Sequence, residues 1–107
     1  MSFEIIAVPS FKRELKKLAK KYPPLKEDFS NLVESLKENS DQGTPLGQNC
    51  FKIRMAIASK GRGKSGGSRV ITCVKITKNQ IYLISIFDKS EKENITAKEL
   101  SELLKNL

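Results

Sequence analysis

The sequence predicts an α+β fold, namely a small, mostly antiparallel sheet of four strands with an N-terminal helical hairpin on one face and a C-terminal helix. Two observations carry this prediction. Apolar residues recur at helical spacing before residue 40 and alternate with polar ones over much of residues 50–87. The chain has 107 residues, which suffice for a single modest core, so we assign residues 1–107 to one domain.

The N-terminal part is predicted to hold one strand followed by two helices. Residues 3–8 form a short strand that stops at Pro9, because proline lacks a ladder donor but fits the first turn of a helix. A first helix runs to about Lys21, and a Tyr-Pro-Pro break at residues 22–24 separates it from the second. The apolar stripes of the two helices are Phe11, Leu15, Leu18, Ala19 and Tyr22, and Leu25, Phe29, Leu32, Val33 and Leu36. Matching stripes predict a helical hairpin that lays both apolar faces on one surface.

The middle of the chain is predicted to supply most of the sheet. Residues 39–48 contain Gly, Pro, Asn, Asp and Ser, which indicate a loop. From Cys50 onward the side chains alternate, with Phe51, Ile53, Met55 and Ile57 on one face and Lys52 and Arg54 on the other. Residues 69–76 and 80–87 form two further strands joined by a tight turn near Lys78. We expect the helical hairpin to cover one face of the sheet and the opposite face to carry charge.

The C-terminal residues 95–107 are predicted to form a helix that packs on the sheet or on a partner. Thr96 and Glu99 have the spacing of a capping box, and Ile95 and Leu100 that of the accompanying hydrophobic staple. The apolar stripe of this helix is Leu100, Leu103, Leu104 and Leu107.

The net charge of +8 is concentrated in the middle of the chain. Residues 42–87 contain eight basic residues and no Asp or Glu, whereas the segments on either side carry net charges of +1 and −1. Such segregation indicates a polyanionic partner. Nucleic acid, an acidic protein and a membrane surface all fit the composition.

Several classes of function are disfavoured by what the sequence contains. It has no histidine, which removes the common hydrolase triads and makes a His/Asp metal site improbable, so we expect neither a metal nor another cofactor. Gly63-Lys64-Ser65 resembles the end of a nucleotide-binding loop, but Ala58 stands where the first glycine is needed and a strand follows. Cys50 and Cys73 form no CxxC pair, and as reduced packing residues they suit a cytoplasmic protein. We also expect no leader peptide and no membrane span.

The basic residues support a particular chemistry. Lys52 and Arg54 share a strand face, Arg69 begins the next strand and Lys89 follows the third, so their side chains are predicted to converge on one concave surface. Arginine binds phosphate in a bidentate manner and stabilises the added charge on a pentacovalent phosphorus. A lysine among other cations loses its proton more readily and can act as a base. Together these groups suit metal-free RNA cleavage, in which the 2′-hydroxyl of the substrate attacks the adjacent phosphate.

Two segments, KIRMAIASKGRGKSGGSRVI and YLISIFDKSEKENIT, together with the order of the elements, resemble the RelE/ParE superfamily of bacterial toxins. The K-S-G-G-x-R-V-I pattern is most similar to the HigB-like branch, and the resemblance covers nearly all of the chain. It implies a RelE-like fold and the toxin of a type II toxin–antitoxin pair. Such a toxin cleaves mRNA on the translating ribosome, is neutralised by a cognate antitoxin protein, and needs no small-molecule cofactor and no membrane.

The resemblance also implies which residues form the site. The family's basic active-site positions fall on Arg54, Lys60, Lys64, Arg69 and Lys89. Beside them, we predict Lys52, Arg62 and Phe87 as RNA-binding residues. From it we assign Arg69 to transition-state charge, Arg54 and Lys64 to RNA positioning, and Lys89 or Lys60 to proton transfer. Many relatives have tyrosine where this chain has Phe87, which can stack on a base but cannot move a proton.

Two alternative functions fit the same pattern. A ParE-like toxin of this fold would poison DNA gyrase, and a noncatalytic RNA-binding or protein-binding module would use the same basic surface. The predicted absence of acids around Arg69 and Lys89 favours RNA chemistry over gyrase poisoning.

Overall fold

The structure is a computed structural model that describes residues 3–56, 67–92, 94–105 and 107. Its helices and strands follow the chain in the order β1 Glu4–Ala7, α1 Pro9–Lys21, α2 Leu25–Glu38, β2 Thr44–Gly47, β3 Cys50–Met55, β4 Ser68–Lys75, β5 Gln80–Asp88 and α3 Ala97–Leu104. A short 3₁₀ turn at Ile76–Lys78 joins β4 to β5, as the predicted tight turn requires. None of the described helices has the length and apolar character needed to cross a bilayer.

In the described part of the chain, the sheet has five strands in the order β1-β5-β4-β3-β2. β1 runs parallel to β5, and the other neighbouring strands are antiparallel. The predicted α+β class and the mostly antiparallel sheet are therefore confirmed. The predicted number of four strands is wrong, because β2 lies within residues 39–48, which were expected to be a loop.

Two glycines explain why β2 is hidden in a segment of loop-like composition. Gly43 has φ +97°, and a Cβ placed there would lie 2.4 Å from the carbonyl oxygen of Lys52 on β3. Only glycine therefore allows the chain to approach β3 this closely before β2 begins. Gly47 has φ +88° and is followed by positive φ values at Gln48 and Asn49, which turn the chain back into β3. The glycines thus build an edge strand and its turn.

The helical hairpin covers one face of the sheet, as predicted. Its buried residues and those of the sheet form one apolar cluster, which includes Phe11, Leu18, Leu25, Leu36, Ile53, Met55, Val70, Val74, Ile81, Leu83 and Ile86. The predicted side-chain alternation along β3 is confirmed for Ile53 and Met55, while Ile57 lies outside the described residues. The hairpin therefore fixes which face of β3 remains for Lys52 and Arg54.

The opposite face is not left entirely to charge, contrary to expectation. Helix α3 packs there, and its Leu100 lies in a second apolar cluster with Cys50, Ile71, Cys73, Ile84 and Phe87. The predicted capping box is present, since Thr96 Oγ1 accepts from the Glu99 N–H over 3.1 Å and Glu99 Oε1 accepts from the Thr96 N–H over 3.0 Å. The short apolar stripe of α3 needs a surface to cover, and the sheet provides it. The side chains of Lys52, Arg54 and Arg69 therefore share this face with α3.

Candidate nucleic-acid interface

The centre of the candidate site is a pair of arginines, Arg54 on β3 and Arg69 on β4, which are direct partners in the strand register. The Val74 N–H donates to the Asn49 carbonyl oxygen over 2.9 Å, so residues 49 and 74 form a hydrogen-bonded pair of the same ladder. Hydrogen-bonded and non-hydrogen-bonded pairs alternate along an antiparallel ladder, so Arg54 and Arg69 form a non-hydrogen-bonded pair. Cα atoms in such a pair lie roughly 4.5 Å apart, and the side chains are correspondingly close.

The two arginines differ in burial, and their like charges repel each other. Arg54 is exposed, whereas Arg69 is only 3% exposed and its Nη1 donates to the Ser68 carbonyl oxygen over 3.0 Å. Burial of the guanidinium and, after it, the charge of Arg54 lower the pKa of Arg69 below its ordinary value. Like charges directly opposite each other on a sheet weaken the fold. A phosphate bound between the two groups would relieve that repulsion, so the pair is suited to an anionic ligand.

Lys89 is brought to the same end of the sheet by the first residues of β4 and the last residues of β5. Ser68 pairs with Asp88 and Arg69 pairs with Phe87 in the register. One residue beyond, the Lys89 N–H donates to the Gly67 carbonyl oxygen over 3.1 Å. The half-buried Lys89 therefore follows directly on the strand ends that carry the arginine pair.

The expected absence of acids in this area is wrong, because Asp88 precedes Lys89 and is buried at the end of β5. Its carboxylate faces the helical hairpin, where Oδ2 accepts from the Tyr22 hydroxyl over 3.2 Å. Oδ1 accepts from the N–H and the hydroxyl of Ser90 over 2.9 and 2.8 Å. Alternation along β5 directs Phe87 to the other face, with Arg69. Asp88 thus holds the turn that presents Lys89.

Phe87 lies on the arginine side of the sheet, but only 9% of the residue is exposed. It packs in the second apolar cluster, and Lys92 Nζ lies 5.3 Å from the ring centroid. The ring also borders a cleft of about 350 Å³ whose lining includes Glu14, Lys17 and Lys92. Base stacking by Phe87 stays a prediction. The sequence pattern did not single out Lys17 or Lys92, because they are brought to this cleft by tertiary packing.

The two remaining groups of predicted residues have different outcomes. Lys52 Nζ donates to Asn94 Oδ1 over 3.2 Å and so links β3 to the segment before α3. Its role in RNA binding stays a prediction, and this structural contact across 42 positions of sequence could not be read from the pattern. Lys60, Arg62 and Lys64 lie in residues 57–66, outside the described residues.

A metal centre finds no support in the part of the chain that the structure describes. There, no group of three or more His, Cys, Asp or Glu side chains is arranged to hold an ion.

Comparisons with known proteins give a consistent result. A family model described as the RelE toxin of the RelE/RelB toxin–antitoxin system matches residues 10–106. A mutant of the E. coli toxin RelE with two arginines replaced, solved in the free state, has a TM-score of 0.68 and 19% sequence identity over 100% of this chain and 99% of that one. The same mutant in complex with an antitoxin RelB peptide gives a TM-score of 0.53, 19% identity, and coverage of 100% and 99%. Isolated E. coli RelE gives 0.51 and 19%, with 98% of each chain covered. At this identity the structures establish a shared fold.

Proposed function

The chain belongs to the RelE toxin family and is the toxin of a type II toxin–antitoxin system; on this premise we propose that it is an endoribonuclease that cleaves mRNA on the translating ribosome. The single observation that best supports catalysis is the Arg54–Arg69 pair. Two cations that face each other in a non-hydrogen-bonded strand pair repel and so weaken the fold. The same two cations can stabilise a phosphate whose negative charge increases during the reaction.

The proposed reaction needs no metal. The substrate's 2′-oxygen forms a bond to the adjacent phosphorus while the bond from phosphorus to the 5′-oxygen breaks, which leaves a 2′,3′-cyclic phosphate and a 5′-hydroxyl. Arg69 stabilises the charge of the pentacovalent intermediate, and the more exposed Arg54 positions the phosphate. Lys89 directly follows β5, at the end of the sheet that carries the arginine pair. It takes part in moving the proton from the 2′-hydroxyl to the leaving 5′-oxygen. Lys60 and Lys64 are proposed to complete the site from the basic segment.

The proposed partners follow from the same premise. A cognate antitoxin protein would neutralise this toxin, as an antitoxin peptide binds the similar E. coli RelE mutant. The polyanionic partner is mRNA on the ribosome, which places the toxin in the cytoplasm. The HigB-like branch stays a prediction that rests on the K-S-G-G-x-R-V-I pattern.

The test is a cleavage assay with programmed ribosomes and a defined mRNA, with cut sites mapped by primer extension. Arg69→Ala and Arg54→Ala should each lower the single-turnover rate by about 10²- to 10³-fold, the usual effect of removing one group that stabilises transition-state charge. Lys75→Ala is the matched control, since it removes one exposed charge at the far end of β4. Thermal melting of each variant separates loss of chemistry from loss of fold, which matters for the buried Arg69.

Other results would replace this proposal. Intact mRNA with inhibition of gyrase supercoiling would establish the ParE-like alternative. Salt-sensitive RNA binding without cleavage, and equal behaviour of Arg69→Ala and wild type, would establish a noncatalytic module.

A further inference from the structure

The two cysteines of the chain lie directly opposite each other on neighbouring strands. Cys50 on β3 and Cys73 on β4 are register partners, and both are free thiols. They are 1% and 3% exposed and belong to the apolar cluster beneath α3. Two cysteines that serve only as packing residues could occupy any two positions of the core. Cys50 and Cys73 instead occupy positions directly across from each other on β3 and β4.

The geometry of this pair suits a covalent bond between the sulfur atoms. Residues 49 and 74 form a hydrogen-bonded pair, so the next pair, Cys50 and Cys73, is non-hydrogen-bonded. The expected Cα separation of roughly 4.5 Å falls within the range of about 4.4–6.8 Å found for disulfides. Both side chains also project from the same face of the sheet, because partners across a ladder do so.

The immediate surroundings disfavour the thiolate form of Cys50 in the closed structure. Burial, and then the proximity of Cys73, raises the pKa of the Cys50 thiol to about 12, and Sγ of Cys50 donates to the Gln48 carbonyl oxygen over 3.5 Å. Because the thiolate is the reactive form, the closed structure reacts slowly. Leu100 of α3 packs in the same cluster, so loosening of α3 is the motion that would expose the thiols.

We propose that Cys50 and Cys73 are a modification site at which a peroxide oxidant forms a cross-strand disulfide between β3 and β4. One thiolate attacks the peroxide oxygen and becomes a sulfenic acid as hydroxide leaves. The second thiol then attacks the sulfenic sulfur and releases water. The pair loses two protons and two electrons, and the peroxide is reduced to two molecules of water.

The disulfide would act on the strands that carry the arginine pair. Arg54 and Arg69 are four residues from Cys50 and Cys73 along the same two strands, so the bond fixes the register that sets the arginines opposite each other. The disulfide also makes residues 50–73 a covalently closed loop, and this loop contains Lys60, Arg62 and Lys64. Oxidation would thus stabilise the candidate site and leave its charges unchanged.

The test is treatment of the full-length protein with hydrogen peroxide, followed by unfolding, alkylation of free thiols and mass spectrometry. The expected product is a monomer lighter by two hydrogens that takes up no alkylating agent and yields a Cys50–Cys73 cross-linked peptide. Its melting temperature should rise by roughly 10 °C or more, and a dithiol reductant should reverse the rise. Thr96→Ala, which removes the cap of α3, should increase the oxidation rate.

Cys50→Ala and Cys73→Ala are the matched controls, and neither should give the non-alkylated monomer or the rise in melting temperature. The proposal is overturned if the wild type keeps both thiols alkylatable, if it collects sulfinic acid on single cysteines, or if it forms only intermolecular dimers. It is also overturned if the cross-linked monomer melts below the reduced protein, because native geometry would then not accommodate the bond.

Discussion

Arg54 shows most directly how one residue serves the proposed function at the expense of the fold. Its partner across the ladder is Arg69, and like charges directly opposite each other destabilise a sheet by roughly 0.2–1 kcal/mol. We therefore expect Arg54→Glu to increase the free energy of unfolding by about 1 kcal/mol, because an opposite-charge pair replaces the repulsion. The same variant should lose mRNA cleavage. Urea unfolding and the ribosome cleavage assay measure the two effects.

The control for Arg54→Glu is Lys75→Glu, which makes the same change of charge at an exposed position on β4. Lys75 pairs with Gln80, so no arginine lies opposite the new carboxylate and neither effect is expected. An Arg54→Glu protein that is less stable than wild type would show that the two guanidinium groups do not repel each other in the fold.

Individual side chains on β3 could be assigned to faces from the sequence because alternation is a local property. Ile53 and Arg54 are examples, one packed against the hairpin and the other exposed on the opposite face. Contacts between distant residues could not be assigned in this way. The hydrogen bond from Tyr22 to Asp88 joins residues separated by 66 positions. It depends on how α1 packs across the end of β5, and no local sequence pattern encodes that packing.

At the scale of elements, the contact between α1 and β5 shows how a helix completes the edge of the sheet. β1 pairs with β5 only as far as Ala7 and Leu83, so among the described residues the backbone of β5 beyond that point has no strand neighbour on this side. Oε1 of Glu14 on α1 lies 3.4 Å from both the Ile86 N–H donor and the Ser85 hydroxyl. The Glu14 carboxylate thus takes the place of a strand acceptor.

This position makes the Glu14 contribution dependent on pH. Burial raises the pKa of Glu14, and its bonds from Ile86 and Ser85 offset that effect in part. A raised folded-state pKa means that the fold favours the protonated form. The contribution is therefore fully present below the unfolded-state pKa of 4.5 and is lost as pH rises through the folded-state pKa. We expect the stability of wild type relative to Glu14→Gln to fall as pH rises from 4 upward, measured by urea unfolding at each pH.

Glu14→Ala separates the titration from the hydrogen bond. Glutamine still offers an acceptor to the Ile86 N–H, whereas alanine does not, so Glu14→Ala should be less stable than Glu14→Gln at every pH. The difference between these two variants should not change with pH. A wild type that gains stability relative to Glu14→Gln as pH rises would reverse the assigned direction of the pKa shift.

Elements that a short stretch of sequence specifies could be predicted. Elements that form only by pairing or packing with a distant part of the chain could not. The capping box that begins α3 is contained within Thr96 and Glu99, and the structure has it as expected. β2 was missed because its composition is that of a turn, and only pairing with β3 makes it a strand. The placement of α3 over Cys50 and Ile71 likewise depends on an apolar surface formed by two strands far from α3 in sequence.

For the whole molecule, the fold converts a segregation of charge along the chain into a segregation in space. Residues 42–87 carry all of the excess charge, and the five of their eight basic residues that the structure describes lie on β3, on β4 and in the turn that joins β4 to β5. Helix α1 also has an exposed basic surface, which includes Lys12, Lys16 and Lys20. Two basic surfaces are therefore available to a polyanion, and their contributions to RNA binding can be separated by measurement.

We expect the strand surface to dominate binding of single-stranded RNA, because there the cations converge and Arg69 is already desolvated. The logarithm of the binding constant should fall linearly with the logarithm of salt concentration, with a slope of about −0.7 for each phosphate contacted. Arg54→Ala should make that slope shallower by about 0.7, whereas Lys20→Ala on α1 should leave it unchanged although the net charge of the two variants is the same. Fluorescence anisotropy of a labelled RNA over a series of salt concentrations measures both slopes. Equal changes for the two variants would show that the protein attracts RNA through its total charge, and a larger change for Lys20→Ala would move the RNA-binding surface to α1.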